Sequence, residues 1–147
     1  MHCLLFMAKK KIIIINGPNL NLLGKREPHL YGSQDFESYF NDLIESYPDL
    51  DLYYYQSNIE GELIDMLQEV GFSYEGIILN AGGYTHTSVA LADAVAAIDA
   101  PVIEVHITNP YAREEVRRKS LLSQYAIALI AGFGLQGYRY ALEYFDR

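Results

Sequence analysis

The sequence predicts an α/β fold, one parallel sheet with helices on both of its faces. Two observations carry that prediction. Apolar runs alternate with amphipathic stretches along the chain, and the first run, KIIII at residues 11–15, shows no polar alternation at all. A strand buried on both faces reads as such a continuous β-branched run. Strands that alternate with helices pair in parallel through right-handed crossovers.

The elements follow in order. After the strand at 11–15, Ser33 is placed to cap a helix with apolar positions Phe36, Tyr39, Phe40, Leu43, Ile44 and Tyr47. That spacing is one continuous helical stripe, and Pro48 stops it. Residues 52–56 (LYYYQ) read as a second strand. Ser57 to Glu60 has the spacing of a capping box, and Ile59, Leu63, Met66, Leu67 and Val70 form the next stripe, ended by Gly71. A third strand is expected at 76–80, an alanine-rich helix at 87–98 and a fourth strand at 101–106. A short basic helix at 112–119, a fifth strand at 125–131 and a closing helix at 135–145 complete the chain. Five strands at this length suggest a flavodoxin-like three-layer fold with strand order 2-1-3-4-5.

Bulk properties narrow the class. A chain of 147 residues, half of them hydrophobic, is the size of one ordinary domain with a substantial core. We read residues 1–10 as a flexible leader, with Met7 as an alternative start, and 11–147 as a single domain. The leader has a short apolar patch, but its charges follow that patch and no small-residue cleavage site appears, which argues against a secretory signal. No apolar stretch reaches the length of a membrane span. A net charge of −8 argues against nucleic acid and anionic membranes as partners. The one cysteine, Cys3, excludes an internal disulfide and a cysteine-cluster metal site, and points to the cytoplasm. The histidines lack metal-ligand spacing, so neither metal nor cofactor is expected.

In open parallel sheets ligands bind beyond the carboxyl ends of the strands. Three expected strands end in polar segments here. The first runs into Asn16 to Asn21 and a long loop reaching Gly32, the third into Asn80 to Ser88, the fourth into His106 to Pro110, then Arg113 and Arg117. The first loop lacks the glycine spacing of the phosphate-binding motifs, which leaves a nucleotide-binding module without its main support. At about 17 residues that loop has the length of a functional lid. Tyr31 within it is either a packing residue or, with Arg26 nearby to lower its pKa, a base. Glu104 and His106 lie two apart on a strand, so both side chains share one face. Such a pair is either a satisfied buried contact or an acid whose tautomer the carboxylate fixes. His86 either helps to start the following helix or joins the site. The basic run at Arg117 is either solvated or part of the same mouth. A phenol, an imidazole, cations and amides together suit proton abstraction and leaving-group protonation on a small polar anion.

Four stretches sharpen this reading: INGPNLNLLGKREPHLYG, YQSNIEGELID, ILNAGGYTHTSVALADA and IEVHITNPYAREEVRRKS, followed by the tail LIAGFGLQGYRYAL. In this order they resemble the signature regions of the type II 3-dehydroquinate dehydratases. The resemblance implies a flavodoxin-like lyase that converts 3-dehydroquinate to 3-dehydroshikimate through an enolate, in aromatic amino-acid biosynthesis. It implies Tyr31 as the base, Arg26 as its activator, Asn19 as holder of the enolate-stabilising water, and His106 as the acid, with Asn80 alongside. It further implies that Ile107 and Thr108 hold the substrate carboxylate and that His86 and Arg117 grip ring hydroxyls. Asp93 matches a position that reaches a neighbouring subunit's site, in trimers that commonly assemble four to a dodecamer. Members often carry serine where this chain has Thr108. The threonine hydroxyl can make the same contact. An inactive paralogue would show damage to Arg26, Tyr31 or His106, and all three are present.

Overall fold

The computed structural model describes residues 8–25, 27, 29 and 33–147. Its strands are β1 (Lys10–Asn16), β2 (Leu50–Gln56), β3 (Gly76–Asn80), β4 (Val102–His106) and β5 (Ala128–Ala131). Among the described residues, the α-helices are α1 (Phe36–Ser46), α2 (Glu60–Val70), α3 (Val89–Ala97) and α4 (Gln136–Phe145). All strand pairs are parallel, in the order β2-β1-β3-β4-β5, as expected. No helix among these residues is long and apolar enough to cross a membrane.

The isoleucine run explains why the sheet has three layers. Successive side chains of a strand point to opposite faces. Ile12 and Ile14 therefore pack with α1 and α4, against Leu43, Tyr138 and Leu142. Ile13 and Ile15 pack on the other face, with Leu63 and Leu67 of α2 and Leu91 and Val95 of α3.

Four local expectations change. The cap of α1 is Asp35, whose side chain accepts the Ser38 N–H at 2.8 Å. Ser33 lies two residues too early, and a carboxylate also suits the positive end of the helix. Ser57 does not pair with Glu60; its Oγ accepts the Ile59 N–H at 3.0 Å and donates to Glu62. The basic segment forms two short 3₁₀ turns, Pro110–Ala112 and Glu115–Arg118, because extended backbone at Arg113 separates them. The fifth strand is shorter than expected, since residues Ser123–Tyr125 turn as a 3₁₀ segment before it. As an edge strand it pairs only with β4 and leaves Leu129 exposed.

Candidate active site

The expected strand ends meet in one pocket. Its wall includes Asn19, Asn80, His86, His106, Ile107, Thr108, Arg113 and Arg117. The floor is set by β1 and β3, whose last residues Asn16 and Asn80 are in register. Beyond them the Gly17 N–H donates to the Asn80 carbonyl at 2.7 Å. The two loops approach so closely that a Cβ at Gly17 would stand 2.5 Å from the Ala81 carbonyl oxygen. Gly82 has φ +59°, a conformation that glycine adopts without strain. Asn19 holds a similar left-handed conformation, φ 69°, without being glycine. Asn58 secures it by accepting the Asn19 N–H at 3.0 Å. Asparagine tolerates this region better than most residues.

His106 and Glu104 do share a face. Their side chains meet at 2.7 Å between Nε2 and Oε2, both buried. An ionised carboxylate only accepts, so the proton of this bond belongs to Nε2. Nδ1 is then the ring nitrogen left for proton exchange with a ligand. Glu104 Oε1 accepts from Ser120 Oγ at 2.8 Å and Ser123 Oγ at 3.1 Å. Burial alone would push this carboxyl up; the bonds from His106, Ser120 and Ser123 outweigh it and hold the group below its usual value.

His86 lines this pocket and does not cap the following helix. Ser88 is the cap of α3, accepting the Leu91 N–H at 2.9 Å. His86 Nδ1 instead bonds the Lys119 carbonyl at 2.8 Å, which places the proton on Nδ1. The ring stands 6.2 Å from that of His106, nearly parallel to it. Arg117 lines the pocket while its Nε donates to Glu114. Arg113 Nη1 reaches Thr108 Oγ1 at 3.5 Å. Asp93 lies exposed on α3 and is not among the residues that line this pocket. Arg26 and Tyr31 fall outside the described residues.

Several neighbours were not singled out in the sequence. Arg113 was noted at the strand end without a role. Ser120 and Ser123 carry no local signature, because their partner Glu104 is far away in sequence. The same holds for Tyr138, which reads as an ordinary core position of an amphipathic helix. Its hydroxyl accepts from Asn80 Nδ2 at 2.9 Å and donates to Asn16 Oδ1 at 2.8 Å. Burial pushes this phenol well above its usual range, so it stays neutral.

Comparison with known proteins gives a consistent result. The family described as "Dehydroquinase class II" matches residues 10–146. The 3-dehydroquinate dehydratase of Prochlorococcus marinus is 51% identical over 134 residues, covering 90% of this chain and 92% of that protein. The crystal structure of the type II dehydroquinase from Butyrivibrio crossotus superposes with TM-score 0.89 at 41% identity, covering 95% of this chain and 99% of that one. The type II dehydroquinase from Propionibacterium acnes superposes with TM-score 0.91 at 36% identity, covering 94% and 97%.

Proposed function

This chain belongs to the class II dehydroquinase family, and on that premise we propose how its pocket carries out the family's reaction. The reaction is the dehydration of 3-dehydroquinate to 3-dehydroshikimate in the shikimate pathway. Tyr31, as phenolate, takes a proton from the carbon next to the ketone. Arg26 favours that phenolate, because a guanidinium stays charged at any working pH. The electrons of the broken C–H bond form an enolate, which a water held by Asn19 stabilises. The enolate collapses, the C–O bond breaks, and His106 delivers a proton so that the hydroxyl leaves as water. Ile107 and Thr108 hold the substrate carboxylate. His86 and Arg117 grip ring hydroxyls, and Asn80 donates beside His106.

The observation that carries this reading is the orientation of His106. Glu104 holds its Nε2, which leaves Nδ1 as the nitrogen for proton exchange, and His106 lines a pocket that Arg113 and Arg117 also line. Two arginines lining one pocket of a chain of net charge −8 support a small anion there, with Arg117 also bonded to Glu114. We place the enzyme in the cytoplasm, as a domain at 11–147 behind a leader at 1–10. Its assembly is from trimers into a dodecamer, with Asp93 directed at a neighbour's pocket. Asp93's exposure outside its own pocket supports this assembly, as does the edge strand β5 with Ile127 and Leu129 uncovered.

The test is direct. The purified protein is incubated with 3-dehydroquinate and the ultraviolet absorbance of the conjugated enone is followed. Tyr31→Phe at saturating substrate is expected to lose at least about 10²-fold in kcat, the low end for a positioned acid or base. Near-normal turnover would assign the base elsewhere. Borohydride added with substrate should leave protein mass unchanged, since no lysine is among the described residues that line the pocket. A reduced adduct would exclude the enolate route.

A further inference from the structure

We propose that Tyr138 is a positioning residue for the reaction, acting through the carboxamide of Asn80. The inference rests on the reading that Asn80 touches the substrate beside His106. Its structural basis is a buried chain of hydrogen bonds with a single consistent direction. The Gly82 N–H can only donate, and it meets Asn80 Oδ1 at 3.2 Å. Asn80 Nδ2 must therefore face Tyr138, whose hydroxyl accepts at 2.9 Å. That hydroxyl has one proton, and it goes to Asn16 Oδ1 at 2.8 Å. Each amide is thus oriented by the next group, and the phenol sits between the ends of β1 and β3. Asn80, Asn16 and Tyr138 are all buried, with Tyr138 fully so.

The consequence concerns the second N–H of Asn80 Nδ2. One N–H is taken by Tyr138, and Asn80 lines the pocket. The remaining N–H is the donor offered to the reacting end of the substrate. If the carboxamide flipped, it would present a carbonyl oxygen to that atom and repel the developing negative charge. Without the phenol, the Gly82 N–H is the one hydrogen bond left to the carboxamide among the described residues. Packing does not depend on the hydroxyl. The Tyr138 ring stands edge-on to Phe36 with centroids 4.9 Å apart, and phenylalanine can keep that contact.

The experiment compares kcat and KM for 3-dehydroquinate in the full chain, wild type against Tyr138→Phe, Asn80→Ala and the double variant. Thermal unfolding reports the folded fraction separately. Tyr138→Phe is expected to lower kcat about 10-fold, the equivalent of one hydrogen bond, with KM changed less than about threefold. If Tyr138 acts through Asn80, the double variant falls no further than Asn80→Ala, because coupled residues are not additive. Multiplying effects would show that the phenol acts by another route, and an unchanged kcat in folded Tyr138→Phe would show a purely structural role. Should Tyr138→Phe not fold, Asn16→Ala replaces it. That variant keeps Tyr138 and Asn80 but removes the acceptor that orients the O–H, and wild-type kcat in it overturns the proposal. A wild type that leaves 3-dehydroquinate unchanged defeats the enzymatic reading itself. An active wild type with a normal Tyr138→Phe defeats only this inference.

Discussion

Glu104 is 1% exposed, yet its surroundings favour the ionised form. Burial opposes that charge, and the bonds from His106, Ser120 and Ser123 overcome it. Half of this arrangement was visible in the sequence, because a spacing of two on a strand can only place Glu104 and His106 together. The serines were not visible, since they come from a turn that the tertiary fold brings back under the strand. The folded-state pKa is lowered relative to the unfolded chain, where glutamate titrates near about 4.3. Glu104 thus adds stability that is present above that value and lost as pH falls through the lower folded value. Glu104→Gln should flatten this acid limb, which unfolding midpoints measured between neutral and strongly acidic pH would reveal. The same variant should reduce kcat by about 10- to 100-fold, less than the about 10²–10⁴-fold expected for His106→Ala. In His106→Ala, hydrogen exchange next to the ketone should partly survive while dehydration is lost. Equal loss of both would remove His106 from the acid role.

At the scale of elements, helix starts test the sequence reading most sharply. The stripes of α1 and α2 were legible because apolar spacing of three and four is a strong signal. Their first residues were not, because a cap depends on which N–H the side chain actually meets. Asp35 and Ser88 make such contacts, and Ser33 makes none with α1. Asp35→Ala and Ser88→Ala should each cost about 1 kcal/mol in denaturant unfolding, whereas Ser33→Ala should cost a few tenths at most. Equal losses at positions 33 and 35 would restore the sequence-based cap. The loop between β3 and α3 offers a second test. Gly82→Ala places a Cβ 3.1 Å from the Pro18 carbonyl oxygen in a left-handed conformation. Such a substitution should destabilise by about 1–2 kcal/mol and disturb the pocket floor, so activity should fall along with stability.

At the scale of the whole molecule, the exposed faces bear on assembly. Asp93 is exposed and does not line its own pocket, and β5 leaves one edge of the sheet unpaired among the described residues. Unpaired edges invite pairing or coverage. Asp93→Ala should keep the fold, measured by circular dichroism, and lose activity or assembly. Sedimentation that finds a fully active monomer would contradict a shared site.

Read alone, the sequence determined the layer architecture, because continuous apolar runs and helical apolar stripes record which faces are buried, and five strands at this length suggested the strand order. It also pointed to the loops that line the pocket, since polar segments after strands must lie at the sheet's carboxyl edge. The tertiary structure decided the partners: Ser120 and Ser123 on Glu104, Asn58 on Asn19, and Tyr138 between Asn16 and Asn80. The reason is physical. Burial of an apolar face is a local property of the pattern, whereas a hydrogen bond needs two specific atoms within about 3 Å, in a fixed direction. For Tyr138 and Asn16 those atoms are separated by 122 positions, and only the packed sheet brings them together.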